Sequence, residues 1–179
     1  SLLATVSMRS IIPATLLMVS FLMGCDGESD QTAIPLSVEA KRTAIESAMI
    51  HLDSGRSVEA LAITSKLLEH DGNSLEILEK HAIVLLAEAA RLESDRLAEE
   101  AMATREEAME VYKRACTQDG VSGGTQFSAG QLAHMLGDTS LARTLYEQSH
   151  LSLEVDGRSA FYLAQIYMLE EQWAHAHNW

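Results

Sequence analysis

The stretch GGTQFSAGQLAHMLGDTSLARTLYEQSHLSLEVDGRSAFYLAQIYMLEEQWAHAHNW, Gly123 to Trp179, overlays itself when shifted by 34 residues. Gly123 falls on Gly157, Phe127 on Phe161, Gln131 on Gln165 and Ala142 on Ala176. Each copy reads as one helical hairpin. The first reverses at Gly137-Asp138 and the second around Glu171-Gln172.

The identities fall at telling places. Ala142-x-x-x-Tyr146 and Leu163-Ala164-x-x-Tyr167 have the small-residue and aromatic spacing of the tetratricopeptide repeat, whose period is 34. On these residues the chain resembles tetratricopeptide-repeat proteins over about residues 37 to 179. The resemblance implies an all-α, TPR-like solenoid of antiparallel helix pairs.

Composition agrees with that class. The 179 residues include two prolines, 47% hydrophobic residues and 5% aromatics, with Ala, Leu and Glu recurring throughout. This favours helices. The formal net charge is -13, which argues against nucleic acid as a partner, because phosphate binding needs clustered Lys and Arg. It equally opposes docking on an anionic lipid surface through a basic patch. The two cysteines, Cys25 and Cys116, do not make a disulfide framework. Cys116 reads as a small buried helix residue.

Residues 1–24 read as a signal peptide. Met8-Arg9 reads as the true start, with residues 1–7 as upstream readthrough. Arg9 supplies the positive n-region, and Ile11 to Met23 is an apolar run of about 13 residues, short for a transmembrane helix. Leu22-Met23-Gly24-Cys25 resembles a bacterial lipobox. That resemblance implies a lipidated Cys25 at the mature N-terminus. Asp26 directly after it resembles the inner-membrane retention signal of enterobacteria. Residues 25–36 then form a polar, acidic tether.

The folded part, residues 37–179, begins with Ser37 as an N-cap. Repeat one spans roughly residues 41 to 74 and reverses at Gly55, with Ala48 and Ala60 in the places of Gly130 and Ala142. In repeat two, Leu75 to Gly123 is 48 residues, an excess of 14 over the period. Fourteen is two heptads, so the second hairpin is expected to be longer by about four helical turns shared between its helices. Its tip is expected at Ser94-Asp95, with Ser94 as N-cap and Leu97, Ala101, Ala108, Tyr112 and Ala115 facing inward. Arg96/Glu100 and Glu110/Arg114 have ion-pair spacing on its outer face. Gln118 to Thr125 reads as a loop. Repeats three and four begin near Gly123 and Gly157. Trp179 falls partway through a hairpin, so the chain reads as a fragment.

No catalytic constellation emerges. Gly120-Val121-Ser122-Gly123-Gly124 matches G-x-S-x-G, but a hydrolase elbow needs a buried strand before it, and a charged helix precedes it here. His175 and His177, two apart on a helix, point about 200° apart and cannot share an ion. Glu99-Glu100, Glu106-Glu107 and Glu170-Glu171 are solvated helix neighbours. No phosphate loop or dinucleotide fingerprint occurs. The expectation is a non-enzyme without cofactor or metal.

The resemblance implies a concave groove lined by the first helix of each repeat. It would contain Ile45, Met49 and Leu52, then Ile83 and Leu86, then Phe127, Gln131, His134 and Met135, then Phe161, Gln165, Met168 and Leu169. The face is mostly apolar. Two glutamines could bond a peptide backbone, and methionines suit adaptable packing. The Lys and Asn residues with which chaperone-binding members clamp an acidic C-terminus are absent. The function so implied is a lipid-anchored scaffold that binds a protein or peptide in a bacterial envelope complex, facing the periplasm or exterior. The alternatives are a self-associating spacer built on the long second hairpin and the docking module of a larger envelope enzyme.

Overall fold

The computed structural model describes residues 36–152 and 157–179. The signal and lipobox, Cys25 included, lie outside these residues, as does the tether up to residue 35. Among the described residues there are eight helices and no strand. They pair in chain order: α1 (Val38–Asp53) with α2 (Ser57–His70), α3 (Leu75–Ser94) with α4 (Ala98–Cys116), α5 (Gly123–Met135) with α6 (Thr139–Leu151), and α7 (Arg158–Leu169) with the short α8 (Trp173–Ala176). Each helix packs on the next, and α1 also touches α3. Contacts are therefore local along the chain, as in a solenoid. The second hairpin is the long one. Its helices have 20 and 19 residues, against 13 each in α5 and α6. The insertion is shared almost equally between both arms.

All four hairpins reverse in the same way. A residue in the left-handed conformation follows each first helix: Gly55 (φ 73°), Arg96 (φ 64°), Gly137 (φ 83°) and Glu171 (φ 58°). The next backbone N–H then bonds back five residues. Arg56 donates to His51 O at 2.9 Å, Leu97 to Leu92 O at 2.9 Å, Asp138 to Ala133 O at 2.9 Å and Gln172 to Tyr167 O at 2.8 Å. This satisfies carbonyls that a helix end otherwise leaves open.

The long hairpin departs from the sequence expectation at its tip. Ser94 does not cap α4. It ends α3, and its Oγ donates to Ala90 O at 3.0 Å. The reversal sits at Arg96, so the Arg96/Glu100 pair is not made, and Leu97 is exposed instead of buried. Arg114 does not pair with Glu110. It reaches across to the Gly72 carbonyl, tying α4 to the α2–α3 turn, while Lys113 takes Glu110 at 2.7 Å. Helix α5 also starts earlier than expected. Ser122 Oγ accepts the Thr125 N–H at 3.1 Å, so Gly123 and Gly124 form the first helical turn and not a loop.

Helix α3 is buried on two sides. Ile77 packs with Ile45 and Leu67, and Val84 with Ala48 and Ala60. Leu78, Ala82 and Leu85 join the main core, which continues through α4, α5, α6 and α7. Two polar links hold the first hairpin to α3. Ser57 Oγ donates to Glu88 Oε2 at 2.7 Å, while Arg91 bonds the same carboxylate. The Arg91 contact, helped by Ser57 and against the opposing effect of burial, holds Glu88 below the usual carboxylate range. Thr64 Oγ1, bonded to the Ala60 carbonyl, faces His81 Nδ1 at 2.9 Å. Burial, and then the charge of Arg114, lowers the His81 pKa.

Small residues let the hairpins close. Ala48, Ala60 and Ala142 have no exposed surface. At Gly130 the fit is tightest: a Cβ there would lie 2.8 Å from both Cδ1 and Cε1 of Tyr146. Repeat one has Ala48 in that place, because Thr64 stands where Tyr146 does and leaves room.

Two outcomes follow. Gly130→Ala gains about 1 kcal/mol of helix propensity but forces the Tyr146 ring aside at a cost of about 1–3 kcal/mol. The variant therefore has a lower denaturation midpoint, whereas Gly124→Ala, with only Ser122 Oγ at 3.6 Å, does not. The second concerns pH. Unfolding returns His81 to its ordinary pKa of about 6.5, so below that pH the unfolded state binds more protons and stability falls. Thermal melts from pH 7.5 to 5.5, above the range where Glu88 contributes, should show this loss in the native protein. His81→Gln, which keeps a donor toward Thr64, should be flatter.

Candidate binding cleft

Three first helices, α3, α5 and α7, bring one cleft together. Its volume is about 630 Å³. Ile83 and Leu86 come from α3, and Gln131, His134 and Met135 from α5. These five were all placed in the groove by the sequence. Ser128 and Leu132 complete the α5 wall, and three tyrosines that the groove pattern missed close the rest: Tyr112 from α4, Tyr146 from α6 and Tyr162 from α7. None of the walls carries an Asp, Glu, Lys or Arg. Ile83 and Met135 are exposed, so both are available to a partner.

The other proposed groove residues lie elsewhere. Ile45 is buried against Leu67 and Ile77, and Met49 and Leu52 pack on the Ala48–Ala60–Val84 cluster. Helix α1 leans on both α2 and α3, so that face is used in packing. Phe127 is only 5% exposed. It contacts Tyr146 and Tyr162, both at 5.7 Å between ring centroids, and the Arg158 guanidinium lies 4.7 Å over its ring. It is not a wall of this cleft and edges instead an adjoining pocket with Ile83, Gln131 and Arg158. Its repeat mate Phe161 is 61% exposed and meets Tyr162 edge-on at 5.6 Å. Gln165, Met168 and Leu169 are not among the cleft walls; Gln165 is half-buried, and Met168 and Leu169 are exposed.

The floor is aromatic. Tyr146 and Tyr162 stack at 5.2 Å with 16° between planes, and Gln131 Nε2 donates to Tyr162 Oη at 3.4 Å. Burial pushes the Tyr112 hydroxyl up to about 12. Tyr146 is fully buried, and its hydroxyl has no hydrogen-bond partner. Burial, with Tyr162 beside it, raises its pKa. The Tyr112 and Tyr146 phenols are therefore neutral at physiological pH. A search of the sequence for ligands or charge pairs passes over such residues, since each tyrosine also fits a core position.

Other candidates have structural roles. Ser122 of the G-x-S-x-G stretch caps α5 and follows helix α4. Cys116 is half-buried, and burial with the nearby Glu79 pushes its thiol up to about 11, far from a reactive thiolate. His175 stacks on Tyr167 at 5.4 Å. Among the described residues, no three His, Cys, Asp or Glu side chains gather as metal ligands.

No protein family and no curated protein matches this sequence. Solved structures match its shape. Two crystal structures of MamA resemble it with TM-scores of 0.61 and 0.60, at 15% and 14% identity. Each covers 77% of this chain, and the matches span 72% and 68% of the MamA chains. PilF of Pseudomonas aeruginosa aligns with 78% of this chain and 73% of its own at 19% identity, but its TM-score is 0.41, too low to carry an argument. At such identities the MamA likeness speaks for fold alone, and the fold is a TPR-type helical solenoid.

Proposed function

We propose that this protein is a non-enzymatic interaction scaffold that holds a partner polypeptide in the cleft between α3, α5 and α7. The observation that carries the reading is the cleft itself: a concave, largely apolar surface without Asp, Glu, Lys or Arg, formed by three consecutive repeats. Concave sites of this size commonly receive ligands through apolar walls and a few placed polar groups. Among its walls Ser128 Oγ donates to the Gly124 carbonyl at 3.1 Å and not to His134. The chain carries a formal net charge of -13, which disfavours nucleic acid.

The setting belongs to the same proposal. The Leu22-Met23-Gly24-Cys25 sequence supports lipidation at Cys25 and a place in the bacterial envelope, anchored to a membrane and facing the periplasm or exterior. Among the described residues no helix is long and apolar enough to cross a membrane.

Two experiments test these points. Ile83→Glu/Met135→Glu places charges on exposed cleft positions and leaves the buried Phe127 untouched. A variant that melts like the parent should lose the partner recovered by affinity capture and mass spectrometry; a retained partner refutes the cleft. Cys25→Ser should abolish incorporation of labelled fatty acid and release the protein from membranes, while continued processing and membrane association would contradict lipidation.

A further inference from the structure

The described solenoid presents two unlike end faces, and the repeat register makes them complementary. One is on α1. Ile50 takes the register place of Val84, Leu132 and Ile166, by the same offset that sets Ala48 on Gly130. Those three are buried, Val84 against Ala48 and Ala60 of the hairpin before it. Ile50 is 62% exposed, since among the described residues no hairpin precedes α1. The other face is on α7. Phe127 is covered by the repeat that follows it, through the Tyr162 ring at 5.7 Å and the Arg158 guanidinium at 4.7 Å. Its repeat mate Phe161 lacks that cover and is 61% exposed, and Leu169 and Trp173 on the same hairpin are exposed with it. Solenoid ends are ordinarily closed by a polar outer face. Neither end is closed in that way here.

We propose that the α7–α8 face receives the α1–α2 face of a second copy of this chain, so that chains stack head to tail and continue the solenoid. The register supplies the contacts. Arg158 steps back through Gly124 to Arg42, and Tyr162 through Ser128 to Glu46. A second copy stacked with the spacing of repeat four on repeat three sets its Arg42 guanidinium over Phe161, as Arg158 lies over Phe127. Its Glu46 carboxylate comes beside Gln165, as Tyr162 Oη accepts from Gln131 Nε2 at 3.4 Å. Its Ile50 is then buried like Ile166. In the free chain Arg42 is exposed and bonds Glu39 at 2.7 Å, a surface pair that costs little to release. Both halves of the contact are thus carried by one chain, which favours a second copy over an unrelated partner. The two faces differ, so the contact does not close on itself and the stack grows. This surface is separate from the cleft, and its test reads mass and not partner capture.

The test is sedimentation of the full chain dispersed in detergent, over a wide range of concentration at physiological ionic strength, where the net charge of -13 is screened. The mean mass of the parent should rise with concentration through the dimer to larger species. Ile50→Glu spoils one face and Phe161→Lys the other, where the new cation meets Arg42. Both positions are exposed, so each variant should melt like the parent, and each alone should associate about ten-fold more weakly or worse. Mixed, the two variants retain one intact pair of faces and should form a dimer that grows no further. Arg42→Gln, which removes only the cation, should weaken association about five-fold. A parent that stops at a dimer, growth undiminished in either single variant, or a mixture that stays monomeric overturns the proposal. A strictly monomeric parent overturns it too and leaves the α7 face to a helix of another polypeptide.

Discussion

The contact between the Tyr146 ring and the bare backbone at Gly130 is the constraint on which the site depends. It lets α5 and α6 approach closely, because no Cβ stands between them. It also carries the tyrosine through the hairpin, so that a residue of the second helix reaches the concave side. There it stacks with Tyr162 of the following repeat and touches Phe127 of its own. One ring thus joins three helices. The same atoms that fix the spacing of repeats three and four form the floor of the cleft.

Around that contact, the joints between hairpins use buried polar groups in short chains. Between repeats one and two, Ser57 and Arg91 share the Glu88 carboxylate, and Thr64 meets His81. Between repeats three and four, Ser159 Oγ donates to Ser149 Oγ at 2.9 Å, and Ser149 donates to Gly123 O at 2.7 Å. Such groups are favourable when bonded and costly when not. They fix how each hairpin sits on the next, where apolar packing alone tolerates sliding. Among the described residues, two buried polar atoms lack such a partner, His51 Nδ1 and the Tyr146 hydroxyl.

Much of the architecture was legible in the residues. The 34-residue offset located repeats three and four, and the excess in repeat two predicted helices lengthened in step. Glycines marked two of the four reversals. The other two fall at Arg96 and Glu171, where local hydrogen bonding imposes a left-handed residue despite its side chain. This is why the tip of the long hairpin was placed two residues early. The groove was legible only in part. Periodicity assigns a residue to a helix face, but it does not say whether that face meets water or another helix. Ile45 and Phe127 lie on the expected helices, yet neighbouring helices cover them. Tyr112, Tyr146 and Tyr162 have the spacing of core residues, and only their three-dimensional convergence makes them a site.

The long second hairpin matters to this account because it supplies Ile83 and Leu86 to one wall and Tyr112 to another. The scaffold reading places the working surface on the concave side. In-cell photo-crosslinking tests it most directly. A benzophenone amino acid is placed at Met135 in the cleft or at the exposed Val58 on α2, with the chain in its native setting. The account predicts a discrete adduct with another polypeptide from position 135 and none from position 58. An adduct from position 58 alone, or the same adducts from both, would contradict the claim that the cleft is where this protein works.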